Sequence, residues 1–254
     1  MYIQSVSKKE EAWRLSGSYV TRIPALANFE GISFDAPVTF FVGENGSGKS
    51  TLLEGIAVKY GLNPEGGSTN YRFATKDTHS RLADLLDMAK APKRPRDSFF
   101  LRAESFYNTA SYIEAIDKDP FSSSYLASYF GGISLHEQSH GESFLSMVQN
   151  RFWGHGLYLL DEPEAALSPT RQLTLITHLA RLVREDSQFI IATHSPILLA
   201  FPGAAIYSFD GGQIAPIAYE QTDSYRITRD FLNHPKRMLD ILTEPGTENE
   251  SKAP

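Results

Sequence analysis

Residues 43–51 read G-E-N-G-S-G-K-S-T, a glycine-rich stretch that ends in a lysine and two hydroxyl side chains. Glycines allow the backbone to turn tightly around phosphate groups, so that successive N–H groups point at the anionic oxygens. Lys49 would add a positive charge near the β- and γ-phosphates, and the Ser50 hydroxyl is suited to hold Mg²⁺. The full pattern favours a phosphate-binding loop over a flexible glycine turn that carries a surface lysine.

Two carboxylates, Asp161 and Glu162, follow the apolar run L-Y-L-L. A phosphate-binding loop of this type needs a carboxylate near its Mg²⁺, and Asp161 is placed for that role. Glu162 reaches further, to where a water would attack the terminal phosphate, and could take the proton of that water. The alternative is a pair of helix-capping residues after a strand, and the presence of the phosphate-binding loop favours the catalytic interpretation.

A histidine, His194, follows a third apolar run, F-I-I-A, after one threonine. Its imidazole could hydrogen-bond a terminal phosphate oxygen or the attacking water. A lone histidine at such a place would be interpreted as a core residue, but the two preceding motifs favour the functional interpretation. Glu104 likewise comes directly after a short strand that is predicted over residues 98–102.

Residues 139–143, S-H-G-E-S, precede an apolar helical stretch and have two compatible interpretations. Ser139 and Glu142 have the spacing of a capping box, which satisfies the free N–H groups at the start of a helix. The same N–H groups and the serine hydroxyl also make a ready phosphate site. A helix is predicted over residues 139–151, with Phe144, Met147 and Val148 facing inward.

Buried strands and helices alternate around these motifs. Residues 38–42 predict a buried parallel strand, and the apolar spacing after the glycine-rich loop predicts a helix that ends at Gly61. Ser168 and Pro169 predict the start of a second, long helix. The alternation predicts an α/β fold with a mostly parallel sheet covered by helices, in which ligands lie at the carboxyl ends of the strands. One sheet edge should therefore gather Gly43, Glu104, Asp161 and His194.

Further local patterns predict the remaining elements. Short β-like runs at residues 18–23 and 32–34 predict a small antiparallel β element before the first core strand. A helix is predicted over residues 78–89. The long helix is expected to bury the stripe Leu173, Ile176, Leu179 and Val183.

The C-terminal part carries two more signals. Asp210-Gly211-Gly212 lies between two β-like runs and predicts a hairpin. Residues 227–242 predict helix around a break at Asn233-His234-Pro235, and the polar tail 243–254 is expected to be disordered.

The composition limits the class of protein. The chain has 254 residues, 41% of them hydrophobic, a net charge of −6 and no cysteine. These values suit a globular protein, exclude disulfides and thiolate metal sites, and argue against a broadly basic nucleic-acid-binding surface. The first residues do not resemble a signal peptide, and no apolar run approaches the ~20 residues of a membrane span. A cytoplasmic protein is therefore expected.

One local exception to the acidic balance is the proline-broken stretch 90–96, which holds Lys90, Lys93, Arg94 and Arg96. A solvated connection is the simpler interpretation. A local nucleic-acid contact is the alternative.

Taken together, the motifs resemble those of the ABC-type ATPase cassette. G-E-N-G-S-G-K-S-T, S-H-G-E, L-L-D-E-P-E-A-A-L-S-P and A-T-H-S-P occur in that family's order between Gly43 and Pro196. The sequence is most similar to the soluble branch with the RecF and SMC-like proteins, and to short stand-alone bacterial ATPases labelled AAA. The resemblance implies a P-loop protein that binds and hydrolyses ATP with Mg²⁺.

The resemblance also implies a role for each motif. ATP would be bound by Gly43, Glu44, Asn45, Gly46, Ser47, Gly48, Lys49, Ser50 and Thr51. Mg²⁺ would be held by Ser50 and Asp161, with Glu104 nearby. Glu162 would be the catalytic base and His194 the switch histidine. ATP on the other subunit would be contacted by the signature loop, which is matched here by Ser139, Gly141 and Glu142, and residues 165–168 would touch that subunit.

Two positions depart from the transporter form of this family. His140 replaces the first glycine of the L-S-G-G-Q signature, and Glu104 stands where a glutamine is expected, so that its metal contact would have to run through water. The variant signature weighs against a transporter subunit. Only 87 residues separate Thr51 and Ser139, which leaves no room for long coiled-coil arms.

The resulting prediction is one ABC-type domain over residues 1–242, with a helical insertion near residues 62–138. It is expected to work as an ATP-dependent homodimer that acts on an unknown protein or nucleic-acid partner. The alternatives are the nucleotide-binding subunit of a membrane transporter and a non-catalytic, ATP-gated interaction module.

Overall fold

The computed structural model describes residues 1–64, 66–67, 81–103 and 140–243. Glu104, Ser139 and the tail after Thr243 lie outside these ranges, so the predictions made for them remain predictions. The same holds for most of the predicted insertion.

The described residues form short strands and helices. In chain order the strands are β1 (Ile3–Lys8), β2 (Gly31–Ser33), β3 (Val38–Val42), β4 (Leu86–Lys90), β5 (Asp97–Arg102), β6 (Gly156–Asp161), β7 (Gln188–Ala192), β8 (Ala205–Ser208) and β9 (Ala215–Pro216). The α-helices are α1 (Glu10–Leu15), α2 (Pro24–Ala27), α3 (Lys49–Tyr60), α4 (His140–Arg151), α5 (Pro169–Arg184), α6 (Pro196–Leu199), α7 (Asp223–Asn233) and α8 (Pro235–Thr243).

Within the described ranges, six strands form the central sheet in the order β5-β6-β7-β3-β8-β9. All neighbouring pairs are parallel except β8 and β9, which form the predicted hairpin. Every side chain of β3 and of β6 is buried, as expected when both faces of a sheet are covered. The predicted mostly parallel sheet is confirmed, and the carboxyl ends of its parallel strands share one edge.

Two apolar cores lie on opposite faces of this sheet, because successive side chains of a strand point to opposite sides. Phe40 belongs to the core that contains the inward residues of α4 and α5, and Phe41 belongs to the core that contains α3. The inward residues predicted for α4, which are Phe144, Met147 and Val148, are all buried. The helices therefore cover the sheet on both faces.

A second, three-stranded antiparallel sheet has the order β2-β1-β4. The side chain of Gln188, at the start of β7, joins it to the central sheet. Gln188 Oε1 accepts from the N–H groups of Tyr2 at 2.6 Å and Ile3 at 2.9 Å, and its Nε2 donates to the Ile3 carbonyl at 2.9 Å. Gln188 is fully buried, so water cannot replace these bonds.

Gln188→Leu should lower the free energy of unfolding by about 2–4 kcal/mol, because a buried backbone group left unpaired costs about 1–3 kcal/mol. Urea denaturation measures this change. Gln213→Leu is the matched control, since Gln213 is exposed and its replacement should leave the midpoint within error. Equal midpoints for wild type and Gln188→Leu would show that this side chain does not anchor the N-terminal strand.

The prediction of a strand at residues 18–23 was wrong. Residues Tyr19–Arg22 form a 3-10 helix, and α2 begins at Pro24. The β-branched residues favour a strand, but local turn bonds prevail: the Thr21 hydroxyl donates to the Ser18 carbonyl at 2.8 Å, and Ile23 N–H donates to the Val20 carbonyl at 3.3 Å. The run predicted at residues 32–34 does form β2, apart from its last residue.

The prediction of a helix over residues 78–89 was also wrong in its described part. Residues Arg81–Leu85 form a 3-10 helix and residues 86–90 form β4, which pairs antiparallel with β1. The helical spacing placed Leu82, Leu85, Leu86 and Ala89 on one inward face. The three leucines are buried, but Ala89 is exposed, because pairing with β1 decides the backbone conformation. β1 itself was not predicted. The range that was predicted as a helical insertion thus contributes β4 and β5 to the two sheets.

The buried stripe of α5 is rotated relative to the prediction. Its buried residues are Gln172, Leu175, Leu179 and Leu182, whereas Leu173 is 57% exposed. Gln172 is buried although it is polar, because its Nε2 donates to the Leu167 carbonyl and its Oε1 accepts from the Ser195 hydroxyl. Ser168 caps α5 through the Arg171 N–H, as predicted.

The C-terminal helices α7 and α8 are separated at His234, which confirms the predicted break. No helix in the described ranges combines the length and the apolar character that crossing a membrane would require.

Candidate functional site

The glycine-rich loop connects β3 to α3 in the predicted strand, loop and helix order. Gly43 has a φ of 140° and Gly48 a φ of 105°, both in the left-handed region that favours glycine. A Cβ at Gly43 would lie 2.9 Å from Asp210 Oδ1, and one at Gly48 would lie 3.1 Å from Ile23 Cγ2. The loop therefore requires glycine at both positions, for backbone conformation and for space.

Lys49, the first residue of α3, extends back across the loop. Its Nζ donates to the Gly43 carbonyl at 2.7 Å and to the Glu44 carbonyl at 2.8 Å, and the residue is only 3% exposed. Burial lowers the pKa of Lys49 below its ordinary value, and four nearby carboxylates oppose that shift. These belong to Glu162, Asp210, Asp161 and Glu164. The ammonium is thus held at the centre of the site.

Asp210 fixes the first turn of the loop, a role that the sequence analysis missed. Its Oδ1 accepts from the Glu44 N–H at 2.9 Å, and its Oδ2 accepts from the Ser208 hydroxyl at 2.9 Å. The sequence signal was the Asp-Gly-Gly turn, which was interpreted only as a hairpin. The hairpin does form, and it also places a carboxylate against the phosphate-binding loop.

Two of the three predicted Mg²⁺ ligands, Ser50 and Asp161, are brought together. Ser50 Oγ donates to Asp161 Oδ1 at 2.8 Å, although the two residues are far apart in sequence. Arg102, at the end of β5, lies 3.4 Å from Asp161 Oδ2 through its Nε and donates to Glu54 Oε2 at 2.9 Å. Arg102 is a second residue that the sequence analysis missed, and it orients the Asp161 carboxylate.

Glu162 and His194 lie at the same sheet edge. Glu162 adopts a left-handed conformation with φ 49° and ψ 51°, which is uncommon for a residue other than glycine and frequent at functional sites. Its Oε1 is 3.8 Å from His194 Nε2. The side chains of Glu162 and His194 are 41% and 35% exposed, so this part of the site is open on one side.

The residues present fit a nucleotide with Mg²⁺. Oxygen ligands of the kind that Mg²⁺ prefers are supplied by Ser50 and Asp161. Ser47 Oγ and His194 Nε2 are buried and have no hydrogen-bond partner within the described ranges. Buried polar atoms are normally paired, so these two are the atoms expected to contact a bound ligand.

Two residues of the predicted signature loop lie in the first turn of α4. Glu142 Oε1 accepts from Arg171 Nη2 at 2.9 Å. A Cβ at Gly141 would lie 2.6 Å from Arg171 Nη1 and 2.8 Å from the Ala166 carbonyl. Gly141 and Glu142 are therefore adjacent to the loop that the resemblance assigns to contact with a second subunit. Their contact with ATP remains a prediction.

Comparison with known proteins gives two matching domain models. An AAA domain matches residues 17–85. A second AAA domain model, whose description also names the AbiEii toxin and the Type IV TA system, matches residues 133–200. The first match includes the phosphate-binding loop, and the second includes Asp161, Glu162 and His194.

Curated and solved proteins are similar over most of the chain. The cobalt import ATP-binding protein CbiO of Salmonella typhimurium is 28% identical over 199 residues, which is 73% of each chain. The SMC head domain from Thermotoga maritima is 16% identical with a TM-score of 0.48, and covers 86% of this chain and 100% of that chain. The cbiO1 structure from Clostridium perfringens is 16% identical with a TM-score of 0.45, and covers 85% of this chain and 92% of that chain.

A phosphate-binding loop at the carboxyl edge of a mostly parallel sheet defines a P-loop NTPase domain. The domain matches, the similarity to CbiO and the order of the motifs support an ABC-type P-loop ATPase.

Proposed function

We propose that this protein binds ATP with Mg²⁺ and hydrolyses it to ADP and phosphate. The observation that carries the proposal is the 2.8 Å contact between Ser50 Oγ and Asp161 Oδ1 beside the phosphate-binding loop. Glu162 and His194 lie at the same edge, within 3.8 Å of each other. A metal ligand pair, a cationic lysine and a carboxylate base are the parts that phosphoryl transfer to water requires.

Each group then has a distinct task. The loop N–H groups and Lys49 bind and orient the phosphates, and Glu162 accepts a proton from the attacking water at a carboxylate oxygen. His194 Nε2 bonds a terminal phosphate oxygen or that water. A bound Mg²⁺ would neutralise charge that develops on the phosphates.

Phosphate release from ATP tests the proposal. Wild-type protein should release phosphate with Mg²⁺ present and should stop when EDTA removes the metal. ATP binding without phosphate release above the buffer rate would contradict hydrolysis. It would favour instead the non-catalytic module, in which nucleotide only controls partner binding.

The open side of the site supports a second part of the proposal, that two subunits close over two ATP molecules. Water on that side would screen the charges and disorder the attack geometry. A second helix N-terminus, capped by Ser139 of the other subunit, would complete the donor set and exclude water. In each of the two sites, the contact made by the other subunit's Ser139 helix depends on the γ-phosphate. ATP should therefore favour the dimer, and ADP should release it.

Ser139→Arg should spare nucleotide binding and block closure, which abolishes turnover. Mixing it with Lys49→Ala protein should restore part of the activity, because the mixed dimer has one site with an intact loop and an intact Ser139. Each variant assayed alone is the control. If mixed dimers form with ATP but recover no activity, Ser139 does not act across the interface at sites that work independently of each other.

For the partner of this ATPase, the structure supports a nucleic-acid contact at the basic loop. Lys90 Nζ lies 4.4 Å from the centre of the Tyr60 ring, and burial, with the charges of Lys59 and Arg94, lowers the pKa of Lys90. Arg94 and Arg96 are exposed. Lys93 forms an ion pair with Asp186. The cluster of cations on this loop would fit a phosphate backbone.

Neutralising Lys93, Arg94 and Arg96 together as glutamines should weaken DNA binding and make it less sensitive to salt. The slope of log affinity against log salt should fall by about 0.9 for each phosphate that the protein no longer neutralises. Fluorescence anisotropy at several salt concentrations measures both the DNA affinity and this slope. The control is the triple glutamine variant of Arg226, Lys236 and Arg237, which removes the same charge from the exposed C-terminal helices. Absent binding at low salt, or equal weakening in the control, would contradict this contact.

A transporter subunit is the second candidate function, because the curated relatives include proteins named cobalt import ATP-binding proteins. Purification of the tagged protein from membranes in mild detergent tests it. An integral membrane subunit that co-purifies in stoichiometric amount would favour the transporter role over the stand-alone ATPase.

A further inference from the structure

Glu164 links the two loops that carry Glu162 and His194. It lies in the 3-10 helix Pro163–Ala166, directly after β6. Its Oε1 accepts from the main-chain N–H of His194, which follows β7, at 2.5 Å. A hydrogen bond from a main-chain N–H to a carboxylate is charge-assisted, and such bonds are among the stronger hydrogen bonds in proteins. The carboxylate therefore holds the histidine backbone directly.

The neighbouring residues of His194 are held by other groups. Thr193 N–H donates to the Phe41 carbonyl at 3.1 Å, and Ser195 N–H donates to Thr193 Oγ1 at 3.0 Å. Among residues 193–195, only the N–H of His194 therefore depends on Glu164. Loss of Glu164 should change the position of His194 while its neighbours stay in place.

A second hydrogen-bonded connection joins the same two loops, through a side chain of α5. Ser195 Oγ donates to Gln172 Oε1 at 2.5 Å, and Gln172 Nε2 donates to the Leu167 carbonyl at 3.0 Å. The segment from Glu162 to Leu167 is thus bonded to residues 194–195 at two points. The loops should move as one unit, so a shift of residues 165–168 would reach His194 through Glu164.

The other carboxylate oxygen, Glu164 Oε2, is buried and has no hydrogen-bond partner within the described ranges, as is the case for His194 Nε2. An unpaired carboxylate oxygen costs folding free energy. Such atoms in a native protein call for an explanation, and a functional site is a common one. If Glu164 served folding alone, the protein would have no reason to retain a buried carboxylate oxygen that lowers its stability.

We propose that Glu164 is a positioning residue, which fixes the main chain of His194 and so directs the imidazole Nε2 toward Glu162 and the terminal phosphate. The inference rests on the proposed ATP hydrolysis and adds a residue to it. It also makes the position of His194 depend on residues 165–168, the loop that the resemblance assigns to contact with the second subunit.

Three substitutions of Glu164 separate the effect of side-chain length from the effect of the negative charge. Glu164→Ala should lower kcat by about 10–100-fold, the range found when a hydrogen-bond partner that orients a metal-binding residue is removed. KM for ATP should change less than about twofold, because the phosphate-binding loop is untouched. Glu164→Gln keeps an acceptor at the same reach and should recover most of kcat. Glu164→Asp keeps the charge but is one methylene shorter, and should not recover it.

A measurement without turnover tests the contact itself. In nucleotide-free protein, the His194 amide proton should exchange slowly with deuterium in wild type and in Glu164→Gln, and at least about tenfold faster in Glu164→Ala. The amides of Thr193 and Ser195 should be unchanged. Glu30→Ala, at an exposed carboxylate that pairs with Lys8, is the control and should change neither exchange nor kcat.

Wild-type kcat in Glu164→Ala, or better rescue by aspartate than by glutamine, would overturn the positioning role. Unchanged exchange of the His194 amide in Glu164→Ala would overturn the contact. If Glu164→Ala does not fold, the comparison of Glu164→Asp with Glu164→Gln decides the same question. Absence of ATP turnover in wild type would overturn the proposed function and the catalytic role together, whereas the exchange result would still stand alone.

Discussion

Glu162→Gln should bind ATP as tightly as wild type and lose turnover by about 10²–10⁴-fold, the range typical for loss of a general base. Glutamine has the shape of glutamate, so the left-handed main chain at this position and the contacts of Asp161 should survive. The amide cannot accept a proton from the attacking water. Binding and chemistry should therefore separate in this variant.

Calorimetry measures ATP affinity, and single-turnover phosphate release measures the chemical step. Glu220→Gln, at an exposed position, is the matched control and should behave as wild type. Light scattering at saturating ATP adds a second readout, because the variant should accumulate as a dimer. Turnover at the wild-type rate would exclude Glu162 as the base, and a monomer under these conditions would count against the two-subunit model.

Lys49→Ala should reduce ATP affinity by about 100-fold or more, since each charge-assisted hydrogen bond to phosphate is worth about 1.5–3 kcal/mol. The Lys49 ammonium lies at the centre of the loop, bonded to the Gly43 and Glu44 carbonyls. A phosphate would meet it there without a change of fold. The protein should stay folded, because the core beneath the loop is apolar and does not include this side chain.

Isothermal titration with ATP and with ADP measures the effect, and circular dichroism checks the fold. Lys59→Ala lies on the same helix but near its other end, so it should leave affinity unchanged. Unchanged ATP affinity in Lys49→Ala would show that nucleotide does not bind at this loop, and the proposed function would then fail at its first step.

The sequence alone was sufficient for the elements that carry the motifs. β3 has the predicted bounds, and α3 ends at Gly61 as predicted. Ser168 caps α5. These features depend on neighbours in sequence: apolar runs, caps and glycine stops act within a few residues. The convergence of Asp161, Glu162 and His194 also followed, since parallel strands must end at one edge.

Strand pairing was decided by the tertiary structure. The pattern in residues 82–89 suits one face of a helix, but residues 86–90 pair with β1 at the N-terminus. Likewise, the β-branched residues of 18–23 found no partner strand and formed local turns. Local preferences are worth tenths of a kcal/mol per residue, so long-range pairing and burial can override them.

The supporting residues of the site were also beyond the sequence. The sequence patterns did not reveal the supporting roles of Asp210, Arg102 and Glu164, because each acts through a partner 30 or more residues away. The sequence by itself determined which residue types could bind phosphate, hold Mg²⁺ and accept a proton. Only the folded chain decided which side chains hold them in place, because those contacts arise where separate strands end side by side.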